Sequence, residues 1–160
     1  MPPTEPSPLS RALGRIPSAL FIVSTLRAGK PVGFVGSLVQ QVGFAPPMLC
    51  LAVAKDREPL RDLRACGRFS LSLLDASSRR RMGLFLARPV PGTSPYDGLD
   101  LGRTPAGLPF LAEGLAWLEC RIVSELASGD HVVVFAEVEA AATLREGKPH
   151  VHLRRDGLAY

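Results

Sequence analysis

A mostly antiparallel β-barrel carrying two or three short helices is the fold that this sequence predicts. The chain is dominated by apolar runs of strand length and strand period. Only two segments, 58–67 and 75–87, change to helical spacing. Two helices are too few to serve as crossovers in a parallel sheet, which leaves a mainly antiparallel barrel with helices attached.

The chain has 160 residues, 46% of them hydrophobic, enough for one real core. Four prolines among the first eight residues predict a flexible or extended arm over 1–13, with a single domain over 14–160. "ALFIVSTLR" (19–27) and "VGFVGSLV" (32–39) flank "AGKP" and read as a hairpin. "PMLCLAVA" (47–54) is a continuous apolar run, so a buried strand is expected; Pro47 stands at its first position, where no ladder donor is needed.

In "EPLRDLRACG" (58–67), Leu60 and Leu63 recur three apart, Pro59 suits the first turn and Gly67 the stop. "RFSLSLL" (68–74) alternates as a half-buried strand. "DASSRRRMGLFLA" (75–87) offers Asp75 or Ser77 as the cap of a second helix. Residues 88–114 are rich in Pro and Gly and read as a long excursion, of the kind more often functional than idle. "LAWLECRIVSEL" (115–126) and "HVVVFAEVEAAATL" (131–144) are two long strands joined through "ASGD".

Net charge is +4 and the pI about 9.3, but the basic residues are dispersed. The run Arg79–Arg81 has no interleaved aromatics and reads as a solvated helix face, so no nucleic-acid partner is expected. The three cysteines are isolated, and Cys50 and Cys120 sit in apolar runs. Reduced thiols in a cytoplasmic protein are expected, with no membrane span and no signal-type segment.

GxSxG, Walker A, HExxH and a GxGxxG following a strand are all missing from the sequence. His150 and His152 would share one face of a strand, as paired ligands can, but no third ligand is near, and no metal is expected. His131, in "SGDH", could stack on or hydrogen-bond a planar ligand, or simply follow a Gly129-Asp130 hairpin turn. Lys55 and Arg57 in "AKDRE" stand where a strand gives way to a helix. They form a candidate phosphate cradle, opposed in part by Asp56 and Glu58, or else a solvated charged turn. "GFVGSLVQQVGFAPP" (33–47) sets small and polar residues between two apolar strands. That suits an ordinary turn, or a backbone shaped to approach a ligand.

Taken in order, "GFVGSLVQQVGFAPPMLCLAVAKDR", "GRFSLSLL", "GLPFLAEGLAWLECRIVSELASGDHVVVFAEV" and the closing "RRDGLAY" resemble the flavin reductase-like family. Within it they resemble the flavin reductase-like domain of cyanobacterial-type flavodiiron proteins. The resemblance covers about residues 14–160. It implies an FMN-binding split β-barrel, a homodimer with FMN near the subunit interface, and hydride transfer from NAD(P)H to flavin. FAD or riboflavin would be alternative flavin substrates, and an electron-accepting protein a further partner.

Carried over by position, Val35, Gly36 and Ser37 would meet the isoalloxazine and ribityl groups. Gln40, Gln41, Val42 and Gly43 would form a second loop against the ring. Lys55 and Arg57 would hold the phosphate, and Tyr160 would lie near the flavin. His131 is the catalytic candidate, cast as a stacking or orienting residue beside the nicotinamide. The competing readings are an FMN-binding electron-transfer domain that does not use NAD(P)H, and a haem-binding split barrel.

Overall fold

The computed structural model describes residues 5–88 and 90–158. In chain order it comprises α1 (Pro8–Gly14), β1 (Ser18–Ala19), β2 (Phe21–Arg27), β3 (Lys30–Gly36), β4 (Val39–Phe44) and β5 (Pro47–Ala54). There follow α2 (Glu58–Cys66), β6 (Arg68–Leu73), a 3-10 turn (Ala76–Ser78) and α3 (Arg79–Leu86). The chain continues through β7 (Leu101–Arg103), β8 (Pro109–Leu111), β9 (Ala116–Ser128), β10 (His131–Thr143) and β11 (Val151–His152).

Seven strands form one sheet in the order β3-β2-β6-β9-β10-β5-β4, every pair antiparallel. Its two edge strands, β3 and β4, are consecutive in the chain and joined only by Ser37 and Leu38. Three virtual bonds span at most about 11 Å, so the sheet must curl until its edges nearly meet. The result is a barrel split along one seam, as the resemblance implies.

The strands fill that barrel by alternation. β5 turns Leu49, Leu51 and Val53 inward, and β10 turns in Val132, Val134 and Ala136. α2 packs its buried Leu60 and Leu63 onto the same cluster with Phe69. Each such leucine contributes roughly 1.5–3 kcal/mol. Gly67, at φ 70°, ends α2 by donating its N–H to the Leu63 carbonyl at 2.8 Å. Arg27 clamps the helix to β2 through two 2.7 Å bonds to Asp62.

β2 is buried on both faces. Val23 belongs to the barrel core, whereas Ile22 joins Leu20, Leu74, Met82 and Leu111 in a second cluster. That cluster accounts for the 88–114 excursion. Where a long irregular segment is expected, the structure has the short β7–β8 pair, with Tyr96, Leu108 and Phe110 buried. The Tyr96 hydroxyl donates to Ser24 Oγ at 2.6 Å, and burial raises its pKa above the usual phenol range.

Within the stretch read as a flexible arm, the structure has a helix from Pro8. Proline is tolerated at a first helical turn, and the Ser7 hydroxyl caps this one by accepting from the Ser10 N–H at 3.2 Å. β4 is a second departure, because residues 40–43 read as a polar loop. An edge strand needs no apolar face, so "VQQVGF" has none of the alternation that marks a half-buried strand. Among the described residues, no helix is long and apolar enough to cross a membrane.

Candidate flavin cavity at the barrel seam

A cavity of about 710 Å³ lies at the seam. Its walls include the segment Ile16–Ala19, the link and strand start Ser37–Gln41, and Pro47–Cys50 with Ala52 of β5, backed by Leu71, Leu118 and Val138 of the other strands. Among the described residues no charged side chain lines it, and its polar side chains are those of Ser18, Ser37, Gln40 and Gln41. Size and lining suit a flat, largely apolar ring system edged by a few hydrogen-bonding groups.

Local structure explains the shape. Because β5 alternates, the residues opposite Leu49, Leu51 and Val53 point outward, and they are small: Cys50, Ala52 and Ala54. Small outward residues leave depth above the sheet. The amide of Ala52 donates to the Leu38 carbonyl at 2.9 Å, holding the two-residue link over this floor.

The register sets Val39 against Leu51, Gln40 against Cys50 and Gln41 against Leu49. A bulge then leaves Val42 unpaired before Gly43 meets Met48. The Gln40 amide nitrogen donates to the Gln41 carbonyl at 3.3 Å, and that of Gln41 to the Gly43 carbonyl at 3.2 Å. Both side chains thus fold along their own strand at the rim.

Lys55, Arg57 and His131 form a second group, at the far end of β5. His131 pairs with Ala54, and the Lys55 amide donates to the Asp130 carbonyl at 3.0 Å. Lys55 lies three residues beyond Ala52, about 10 Å along an extended strand. His131 Nδ1 stands 2.7 Å from Asp130 Oδ1, and this contact holds the Asp130 carboxyl below its usual range. The cations are therefore outside the cavity but on the strand that floors it.

Of the residues singled out in the sequence, Ser37, Gln40 and Gln41 line the cavity. Val35, Gly36, Val42 and Gly43 do not, although the first two lead directly into Ser37. Tyr160 lies outside the described residues. No residue of 88–114 lines the cavity among those described. His152 pairs with Ser18 in the β1–β11 ribbon, and no group of three or more His, Cys, Asp or Glu among the described residues could hold a metal.

A flavin reductase like domain model matches residues 13–157. The chain belongs to the flavin reductase-like family. Diflavin flavoprotein A 1 of Synechocystis sp. is 33% identical over 156 residues, 96% of this chain but only 27% of that protein. The chain thus spans about a quarter of the length of such relatives. The nitrilotriacetate monooxygenase component B homologue of Mycobacterium thermoresistibile has a similar structure, with TM-score 0.83 and 27% identity over 90% of this chain and 80% of that one. An NADH:FAD oxidoreductase of Streptomyces globisporus gives 0.82 and 26% over 89% and 86%.

Sequence reasoning missed two walls of the seam cavity, Ile16–Ala19 and the outward residues of β5. For β5 a signal was present. In "MLCLAVA" large residues alternate with smaller ones, which separates a packed face from a hollow one even within a wholly apolar run. Ile16–Ala19 has no such mark, because β11, from the other end of the chain, fixes its position.

Proposed function

We propose that the chain is a flavin reductase, transferring hydride from NAD(P)H to FMN seated in the seam cavity. One arrangement carries the reading: an uncharged cavity floored by small outward residues, with Lys55 and Arg57 on the strand that leads out of it. A flavin ring needs the first and its phosphate the second. When bound, the flavin supplies the hydride-accepting chemistry.

The chain's own part is to bind, orient and exclude water. Ser37 and the amides of the two-residue link offer donors at the ring edge, where they would stabilise negative charge on reduction. Lys55, Arg57 and the amides opening α2 would hold the phosphate. His131, fixed by Asp130, orients the nicotinamide. No protein nucleophile is needed. The family membership and the flavin reductases among the structural relatives support this assignment.

A homodimer goes with it. β4 is an edge strand with Val42 and Phe44 exposed, Phe44 to 88%, and a second copy would cover them. The relatives of which this chain spans only 27% favour a second reading, an FMN-binding electron-transfer domain that takes no nicotinamide. Mixing purified protein with FMN and either NADH or NADPH separates the two. Nicotinamide oxidation above the free-flavin rate is expected; tight FMN binding without oxidation would replace the first reading with the second.

A further inference from the structure

The barrel has a second concavity, a cleft of about 430 Å³ between α1 and the chain's C-terminal segment. Arg11 and Arg15 line it from the helix, Arg154 and Arg155 from the other side, with Glu5 the one acidic residue among the described residues of the lining. Arg11, Arg15 and Arg155 make no ion pair or hydrogen bond to another described residue, and Arg154 interacts electrostatically with Asp156. Arg27, Arg64, Arg68, Arg121 and Arg145 are in ion pairs, whereas Arg57 and Arg61 are in none with another described residue.

Close packing forces this crowding. A Cβ on Gly14 would stand 2.4 Å from the Arg154 carbonyl oxygen, and one on Gly157 would stand 2.3 Å from Leu13 Cβ. The Gly157 amide donates to the Ser10 carbonyl at 2.9 Å, and the Ser10 hydroxyl binds Asp156. Asp156 also accepts from the Leu158 amide at 2.8 Å, and it interacts electrostatically with Arg154. The two glycines thus let α1 and the C-terminal segment pack closely, and a cleft lined by four arginines is a favourable seat for an anion.

The cleft adjoins the seam cavity. Arg15 precedes Ile16, the first residue of the cavity wall, and Leu153 follows His152, which pairs with Ser18 of that wall. One uncharged cavity therefore has a cationic group along β5 and another beyond β1. A reaction between two nucleotides needs two phosphate seats.

We infer that the arginine cleft seats the phosphates of the nicotinamide co-substrate, and that it selects NADPH over NADH through the 2′-phosphate. This rests on the flavin reductase reading. Lys55 and Arg57 are taken by the flavin phosphate in that reading, which leaves the cleft for the second nucleotide. Four arginines against one glutamate exceed what a pyrophosphate alone balances, and guanidinium is the side chain suited to a phosphomonoester.

Calorimetric titration with 2′,5′-ADP and with 5′-AMP tests it. Arg15 and Arg155 are exposed, so Arg15→Ala/Arg155→Ala leaves the core untouched. The double variant should weaken 2′,5′-ADP binding at least about tenfold. Arg15→Lys/Arg155→Lys should restore part of it, and FMN affinity should stay unchanged in both. The KM should rise in the alanine variant for both nicotinamides, and by more for NADPH than for NADH. Equal affinity for the two nucleotides, or for wild type and alanine variant, would overturn the proposal. Cleft-dependent 2′,5′-ADP binding without oxidation of either nicotinamide would uphold the phosphate seat and remove the reductase reading alone.

Discussion

A Cβ on Gly36 would stand 2.7 Å from Cγ2 of Val23, the core residue of the neighbouring strand. Gly36 ends β3 opposite Phe21, and the barrel wall forbids it a side chain whatever the seam binds. Gly36→Ala should therefore destabilise the fold by about 1–3 kcal/mol, as overpacked cores do. Denaturant unfolding measures this. A midpoint equal to wild type would mean that the wall is looser than described.

Lys55 and Arg57 are assigned to a phosphate. Lys55→Ala/Arg57→Ala should weaken FMN binding by about tenfold or more, since charged hydrogen bonds contribute roughly 1.5–3 kcal/mol each. Riboflavin, which has no phosphate, should bind wild type and variant alike. Parallel losses for both flavins would place the phosphate elsewhere.

Thiol chemistry reads the cavity wall directly. Cys50 and Cys66 are half-buried, while Cys120 is fully buried and its thiol is pushed up to about 12, chiefly by burial. At neutral pH an alkylating reagent should modify Cys50 and Cys66 and leave Cys120 untouched until the protein unfolds. Saturating FMN should protect Cys50, which lines the cavity, and not Cys66. Peptide mass spectrometry distinguishes the three sites.

Asp75 is one of the carboxylates whose folded-state partners bear on stability in acid. Its Oδ1 accepts from the amides of Ser77 and Ser78 at 3.0 and 3.1 Å, and its Oδ2 from Arg145 at 2.5 Å. The Ser77 hydroxyl, followed by Arg145, holds the carboxyl well below its ordinary value of 3.8. A depressed folded-state pKa stabilises fully above that ordinary value, and the benefit fades as pH falls toward the depressed one. Asp75→Asn keeps an acceptor for the Ser77 and Ser78 amides but loses the charged pairing with Arg145, and should cost up to about 1 kcal/mol at neutral pH. It should also flatten the decline in stability below about pH 4, seen in thermal unfolding across an acid series.

The barrel was legible because its inner faces obey strand and helix periods: Leu49, Leu51 and Val53 inward, Leu60 and Leu63 three apart. The site was legible only in part, because it depends on what periods do not encode. β4 looked like a loop since an edge strand with solvent on one side has no apolar alternation. Ser37 became a rim residue through a closure that only the strand order reveals. Ile16–Ala19 entered the wall because β11, more than a hundred residues later, pairs with β1. The arginines of the cleft meet for the same reason, across nearly the whole chain.

The most direct test is a fluorescence titration of FMN with wild-type protein and with Ala52→Phe, which fills the cavity floor from an outward position and spares the core. Saturable quenching by wild type, and its loss in a variant with an unchanged circular dichroism spectrum, is the expected result. Undiminished FMN binding by Ala52→Phe, or no binding by wild type, would contradict a flavin site at the seam.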